Sequence, residues 1–145
     1  MEKNKKEPAK AWFSMGCFWG PDELFSNIIG VISTRVGYAG GTKENPTYHS
    51  LGDHTETIEI TYNPDKITYE TLLKYFWENH DPINKQKTQY QSIIFYHNSH
   101  QKLLAESSKQ MEQKQYSTPI LTEIRPAETF YEAEEYHQKY FQKHK

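Results

Sequence analysis

Ala9-Lys10-Ala11-Trp12-Phe13-Ser14-Met15-Gly16-Cys17-Phe18-Trp19-Gly20-Pro21-Asp22-Glu23-Leu24-Phe25-Ser26-Asn27-Ile28-Ile29-Gly30 reads as a strand, a sharp turn and a helix. Ala9 to Met15 is a short run around Trp12 and Phe13, the pattern of a buried strand. Leu24, Phe25, Ile28 and Ile29 then recur at helical spacing. Pro21 fits the first turn of a helix but not its interior, and Asp22 and Glu23 suit a helix start. The helix therefore begins close to Cys17, and Gly30 closes it.

Outward from this unit the pattern keeps alternating. Val31 to Val36 predicts a second strand, and residues from Gly37 through Tyr48 form a loop rich in turn residues. Thr55 to Tyr62 sets Thr57, Glu59 and Thr61 opposite Ile58, Ile60 and Tyr62, a half-buried strand. After the Asn63-Pro64-Asp65 turn, Thr68 caps a helix carrying Leu72, Leu73, Tyr75, Phe76 and Trp77 that stops before Asp81-Pro82. Ile83 to Gln89 is polar loop and Ser92 to Tyr96 a strand. Ser99 opens a long polar helix, Ile120 to Ile124 is a last strand and Ala133 to Phe141 a last helix. The first six elements follow the split βαβ plan of a ferredoxin-like sheet with helices on one face. The expectation is an α+β fold of that plan, extended by a C-terminal helix-strand-helix. Residues 1–8 read as a polar lead-in and residues 9–145 as one domain, with no repeat or linker to divide it.

The 145 residues suffice for one core, and a second domain would be cramped. Lys and Arg number 17 against 19 Asp and Glu, a net charge of -2 that argues against a nucleic-acid surface. A single cysteine allows no internal disulfide, which suits a reducing compartment. No apolar run is long enough to span a bilayer, and the charged start is not followed by a secretory apolar segment. A cytoplasmic monomer that binds neither membrane nor nucleic acid is expected.

Chemistry gathers at Cys17. A thiol at a strand-to-helix turn faces the positive end of a helix dipole, which lowers its pKa toward the reactive range. A lone cysteine in a neutral setting is more often an inert, buried hydrophobe. Here the setting favours a nucleophile, and any oxidised form must be reset by an outside thiol because no second cysteine exists. Phe18 and Trp19 offer a floor for a small apolar group such as a methyl, although adjacent helix positions point in different directions. Glu56, near the start of its strand, is either a solvated strand-end carboxylate or, in a dry pocket, a proton donor of raised pKa. Tyr48 and Tyr90 follow loop segments and can offer phenolic hydroxyls to a substrate oxygen; the plainer reading of each is a core-edge tyrosine. The seven histidines carry no metal-site spacing, and no phosphate-cradling glycine motif is present, so neither a metal nor a bound cofactor is expected.

Gly16-Cys17-Phe18-Trp19-Gly20 resembles the signature of the peptide methionine sulfoxide reductase A family. Val36-Gly37-Tyr38-Ala39-Gly40-Gly41, Asn45-Pro46-Thr47-Tyr48, His54-Thr55-Glu56, Phe76-Trp77-Glu78-Asn79-His80-Asp81-Pro82, Thr88-Gln89-Tyr90-Gln91-Ser92 and Glu135-Tyr136-His137-Gln138-Lys139-Tyr140 resemble further family motifs in family order. The resemblance covers nearly the whole chain from Trp12 onward. It implies a catalytic domain that reduces the S epimer of methionine sulfoxide, free or in flexible peptides. In that reading Cys17 attacks the sulfoxide sulfur, Glu56 donates a proton to its oxygen, Tyr48 and Tyr90 bind that oxygen, and Phe18 and Trp19 hold the methyl. Two features depart from the family. Asn84-Lys85-Gln86-Lys87 shortens a stretch that often carries an acidic residue before Tyr90, so a polar anchor is missing or is supplied by Asp81. No recycling cysteine follows, which implies a one-cysteine form served by glutathione with glutaredoxin, by a thioredoxin, or by another thiol. Two other readings of the residues are a different one-cysteine thiol reductase or peroxidase, and a ferredoxin-like module that binds ligands on its aromatics.

Overall fold

The computed structural model describes residues 7–144, so Lys145 and most of the lead-in expected over residues 1–8 lie outside the described residues. The elements run β1 (Ala9–Met15), α1 (Trp19–Ser26), β2 (Val31–Ala39), β3 (Thr55–Tyr62), α2 (Tyr69–Glu78), β4 (Ser92–Tyr96), α3 (Ser99–Gln113), β5 (Glu123–Pro126), β6 (Phe130–Glu132) and α4 (Tyr140–Lys143). The strands form one six-stranded sheet of order β5-β4-β1-β3-β2-β6. Its inner pairs are antiparallel and the β4–β5 edge is parallel, so the fold is a mixed sheet with helices.

Register decides which residues meet. Phe13 pairs with Ile58 on one side and Ile94 on the other, and this face carries the helices. The Phe13 ring lies 5.9 Å from Phe25 of α1 and 4.9 Å from Phe76 of α2, all three fully buried. Each such ring contributes roughly 1.5–3 kcal/mol through removal from water. The preceding residue, Trp12, pairs with Glu59 and Phe95 and points to the opposite face. There a smaller cluster of Trp12, Ala39, Ile93 and Phe95 is roofed by Ala127 and Phe130.

That roof changes the status of β3. The alternation predicts a strand with one polar, solvated face, but Thr57 and Glu59 are both buried. Their polar atoms are paired instead: Ser14 and Thr57 share a hydroxyl bond of 2.8 Å, and the Trp12 indole N–H donates to Glu59 at 2.8 Å. Burial alone would raise the Glu59 carboxyl, yet the Arg35 guanidinium at 2.6 Å, helped by Lys10 and Trp12, holds it below its ordinary value.

Two expectations are corrected. The first helix ends at Ser26 with Asn27 as its C-cap, leaving Ile29 exposed rather than on an apolar stripe. The C-terminal helix-strand-helix is replaced by α3, two short strands, a 3-10 turn over Glu135–His137 and the four-residue α4. The strand expected over residues 120–124 is displaced to Glu123–Pro126, in parallel register with β4. The sequence pattern gives no sign of β6. It pairs with β2 at Gly37, where a Cβ would run into the Tyr131 carbonyl and the Phe130 ring. Ala133 to Phe141 is not one helix because its polar residues are committed elsewhere. The Gln138 side-chain amide accepts from Val36 N and donates to Val36 O, both at 2.9 Å, in place of a further strand residue. Lys139 follows in the left-handed region at φ 53°.

Lys139 closes the C-terminal strap, residues 133–144, onto α1. Asp22, in the first turn of α1 and fully buried, accepts from Lys139 N at 2.8 Å, Lys139 Nζ at 3.1 Å and Thr34 Oγ1 at 2.6 Å. Removing one partner of a buried pair strands the other's charge. Lys139→Ala is therefore expected to lower unfolding free energy by about 3 kcal/mol, and Asp22→Asn by less because the amide still accepts a hydrogen bond. Urea unfolding measures both, and a Lys139→Ala loss no larger than that of an exposed pair would show that the clamp does not hold the strap.

Candidate active site

The site begins at the turn between β1 and α1. Gly16 takes φ +90°, a left-handed conformation that turns the chain out of the strand and presents the exposed thiol of Cys17 one residue before the helix N-cap, Phe18. The Trp19 amide donates to the thiol and pulls its pKa down. This does not prevail. Partial burial pushes the Cys17 thiol up, the nearby Glu56 charge adds to the rise, and the net shift is upward. The expectation of a lowered thiol is thus corrected: desolvation and the Glu56 charge outweigh the Trp19 amide.

Glu56 lies near the start of β3, on the face shared with Ile58 and Ile60, and is 1% exposed. It is not a solvated strand end. One carboxyl oxygen accepts from the Phe18 amide at 3.0 Å and the other from the Gln89 side chain. Burial pushes its pKa up, and these two bonds offset the rise only in part. Glu56 and Cys17 thus sit beside each other with both pKa values raised.

Tyr90 ends a 3-10 turn, Thr88–Tyr90, that is tied to β3 because Thr55 Oγ1 donates to Thr88 O at 2.8 Å. Its hydroxyl is pushed up to about 12 by desolvation, by a hydrogen bond with Tyr48, and by the charges of Glu56, Tyr48 and Cys17. Tyr90 therefore neighbours the thiol, the carboxyl and the Tyr48 phenol. Tyr48 is half-buried, with its ring 4.5 Å from that of His137.

Phe18 and Trp19 diverge along the chain, as adjacent helical residues must, but both rings meet His137, at 5.3 and 5.7 Å. Phe18 is buried against Tyr38, and Trp19 is stacked on Tyr140 at 3.6 Å with 5° between planes. The Trp19 indole N–H donates to His137 Nδ1 at 3.0 Å. Burial pushes His137 below its ordinary value, so the ring is neutral with its proton on Nε2. Nε2 is buried without a partner among the described residues.

Asp81 borders a cavity of about 190 Å³ with Met15, Gly16, His80, Gln86 and Tyr90. Its carboxylate accepts from Ile83 N, Asn84 N and Asn84 Nδ2, which shapes the shortened stretch before Tyr90. Other histidines serve structure: His54 accepts from Gly41 N, and His80 bridges Phe76 O and Ser92 Oγ. Among the described residues no group of three His, Cys, Asp or Glu side chains converges as a metal site.

Sequence reasoning assigns no role to Gln89, Glu134, His137 or Tyr140, which hold Glu56, Tyr48 and Trp19 in place. A signal is present, since all but Glu134 fall inside segments that stand out as motif-like.

An exposed thiol beside a buried carboxyl and two phenols, walled by aromatic rings, can attack an electrophilic sulfur while protonating an oxygen bound to it. The family model of peptide methionine sulfoxide reductase matches residues 9–145. The chain belongs to that family. Among relatives, peptide methionine sulfoxide reductase MsrA of Methanothermobacter thermautotrophicus is 48% identical over 92% of this chain and 86% of its own length. Among solved structures, the reduced form of Mxr1 from Saccharomyces cerevisiae superposes with a TM-score of 0.89 at 28% identity, covering 98% of this chain and 88% of that one. Mxr1 in complex with Trx2 gives 0.72 at 26% identity, over 97% and 89% of the two chains. In this chain the Glu56 charge raises the Cys17 thiol.

Removing that charge gives a direct test. Glu56→Gln is expected to move the pH midpoint of Cys17 alkylation by iodoacetamide downward, because burial still raises the thiol but the carboxylate no longer does. A midpoint that stays or rises would separate the two groups electrostatically.

Proposed function

We propose that this chain reduces the S epimer of methionine sulfoxide, free or in flexible peptides, to methionine. The observation that carries the reading is the raised, two-donor carboxyl of Glu56 beside the exposed Cys17 thiol, in a chain of this family.

Between the two raised pKa values the pair holds one proton. The resting form keeps it on sulfur; the reactive form has it on Glu56, with Cys17 as thiolate. The thiolate attacks the sulfoxide sulfur while Glu56 protonates the oxygen, a poor leaving group until protonated or strongly hydrogen-bonded. The Tyr48 and Tyr90 hydroxyls donate to the same oxygen, and the high pKa of Tyr90 keeps it protonated for that task. The Phe18 and Trp19 rings take the methyl group. Attack forms a Cys17–sulfur bond; the protonated oxygen then moves from the methionine sulfur to Cys17 Sγ as that bond and the old S–O bond break, so that Cys17 is oxidised by two electrons to a sulfenic acid and methionine leaves reduced. One external thiol then displaces water to give a mixed disulfide, and a second releases the Cys17 thiol with formation of the reductant's disulfide.

The complex of Mxr1 with Trx2 supports a thioredoxin in that resetting role, and the single cysteine equally accommodates glutathione with glutaredoxin. No bound cofactor is part of the reaction. The same proposal takes residues 1–8 as a lead-in to one catalytic domain over residues 9–145, with the four inner strands as its ferredoxin-like centre. It also takes the protein to act as a cytoplasmic monomer without membrane or nucleic acid, supported by the free thiol and the net charge of -2. Among the described residues no helix is long and apolar enough to cross a membrane.

Turnover of separated S and R epimers of a methionine sulfoxide peptide, with dithiothreitol, is the test. Wild type is expected to convert only the S epimer, and Cys17→Ser neither. Turnover retained in Cys17→Ser, or of the R epimer alone, would sink the proposal; peroxide turnover without sulfoxide turnover would point to a peroxidase. Glu56→Gln is expected to lower kcat by roughly 10²–10⁴-fold, the range of general acid catalysis, with little change in KM.

A further inference from the structure

We propose that Glu134 is a positioning residue for the reaction: it fixes Tyr48 by accepting that residue's backbone N–H on one carboxylate oxygen while its other oxygen is anchored by the buried hydroxyl of Tyr38. This rests on the role given above to Tyr48.

Tyr48 sits in the connection between β2 and β3, which holds no strand beyond an isolated bridge between Thr47 and Ser50. Such a segment does not by itself hold a phenol to within a fraction of an ångström. Two contacts from the strap do. Glu134 Oε2 accepts from Tyr48 N at 3.1 Å, and the His137 ring packs on the Tyr48 ring at 4.5 Å. Glu134 is in turn held by a buried strand of the sheet. Its Oε1 accepts from Tyr38 Oη at 2.7 Å, and Tyr38 is a fully buried residue of β2, paired with Glu56 across the sheet. One carboxylate thus ties the phenol's loop to the strand that neighbours the acid.

Charge state agrees with the geometry. Desolvation would raise the Glu134 carboxyl, but the Tyr38 hydroxyl and the amides of Glu134 and Tyr48 hold it below its ordinary value, so both oxygens accept at neutral pH. Loss of this side chain leaves the Tyr48 amide and the Tyr38 hydroxyl without their acceptor. The substitution Glu134→Gln keeps a partner for each, since the new side-chain oxygen accepts from Tyr48 N and the new NH2 donates to a Tyr38 hydroxyl free to rotate.

The test is a double-mutant cycle on S-sulfoxide reduction with wild type, Glu134→Ala, Tyr48→Phe and the pair combined, and with Glu134→Gln as the conservative variant. Urea unfolding of each identifies variants that have lost the fold. Glu134→Ala is expected to lower kcat/KM by about tenfold or more, chiefly through kcat, as misplacement of a reacting group does. Glu134→Gln should recover most of it. In the Tyr48→Phe background, Glu134→Ala should cost little further, because the hydroxyl it positions is already gone. Losses that add, or a Glu134→Ala enzyme as active as wild type, would overturn the inference. Full activity of Tyr48→Phe alone would instead remove Tyr48 from the mechanism, and this inference with it.

Discussion

A buried carboxyl at the start of β3 organises the rest of the molecule. Among the described residues Glu56 has no cation beside it, so its burial is tolerated through hydrogen bonds, and one of its two donors is the Phe18 amide. Satisfying that carboxyl brings the first turn of α1 down onto β3, which sets the thiol turn next to the acid. The other donor, Gln89, brings in the turn that carries Tyr90. One desolvated group thus draws together segments that lie 38 and 33 residues away along the chain.

The same strand shows how environment, not residue type, sets a carboxyl's chemistry. Glu56 and Glu59 are three residues apart, on opposite faces, and both are nearly sealed from water. Burial works upward on each. At Glu59 the Arg35 guanidinium reverses it; at Glu56 two neutral donors do not. The first is a structural anion bonded by the Trp12 indole, and the second takes up a proton more readily than an ordinary carboxyl does. The thiol follows from the second. Partial burial and the uncompensated carboxyl beside it both raise the Cys17 thiol.

Much of this is legible in the chain. Ala9–Met15, Thr55–Tyr62, the helix behind Thr68 and Ser92–Tyr96 stand where periodicity and capping put them, because each buries one regular face against Phe13 and its neighbours. The residues set apart as site candidates also meet in space, although Glu56 offers only a choice between solvated and dry. Illegible are the outcomes of competition between distant groups. Nothing local says that desolvation and the Glu56 charge outweigh the Trp19 amide at Cys17, or that Ala133 to Phe141 gives up helical bonds so that Gln138 and Lys139 can serve β2 and α1. Gln89, Glu134, His137 and Tyr140 fall in the same class. They hold other side chains rather than react, and a holding residue is recognisable only once its target's position is known.

The strap therefore has a position in the molecule unlike that of the sheet. Its buried apolar content is slight, Ala133 being the strap's one member of the main core, and α4 is largely exposed. What fixes it is polar and specific: the Gln138 amide on Val36, Lys139 on Asp22, Glu134 on Tyr38. Polar pairs of this kind discriminate among registers better than they add stability, since a slip by one residue strands every charge. That discrimination matters because the strap forms one wall of the site. His137 meets Trp19 across 118 residues of sequence, and Tyr140 stacks on the same indole. Opening of the strap alone would leave the sheet, the thiol and the acid in place yet dissolve the aromatic wall and free Tyr48. The site thus divides into a half built on β1, α1 and β3, which carries Cys17 and Glu56, and an aromatic wall brought to it by the strap, and the pair of buried Asp22 with half-buried Lys139 is the joint between them.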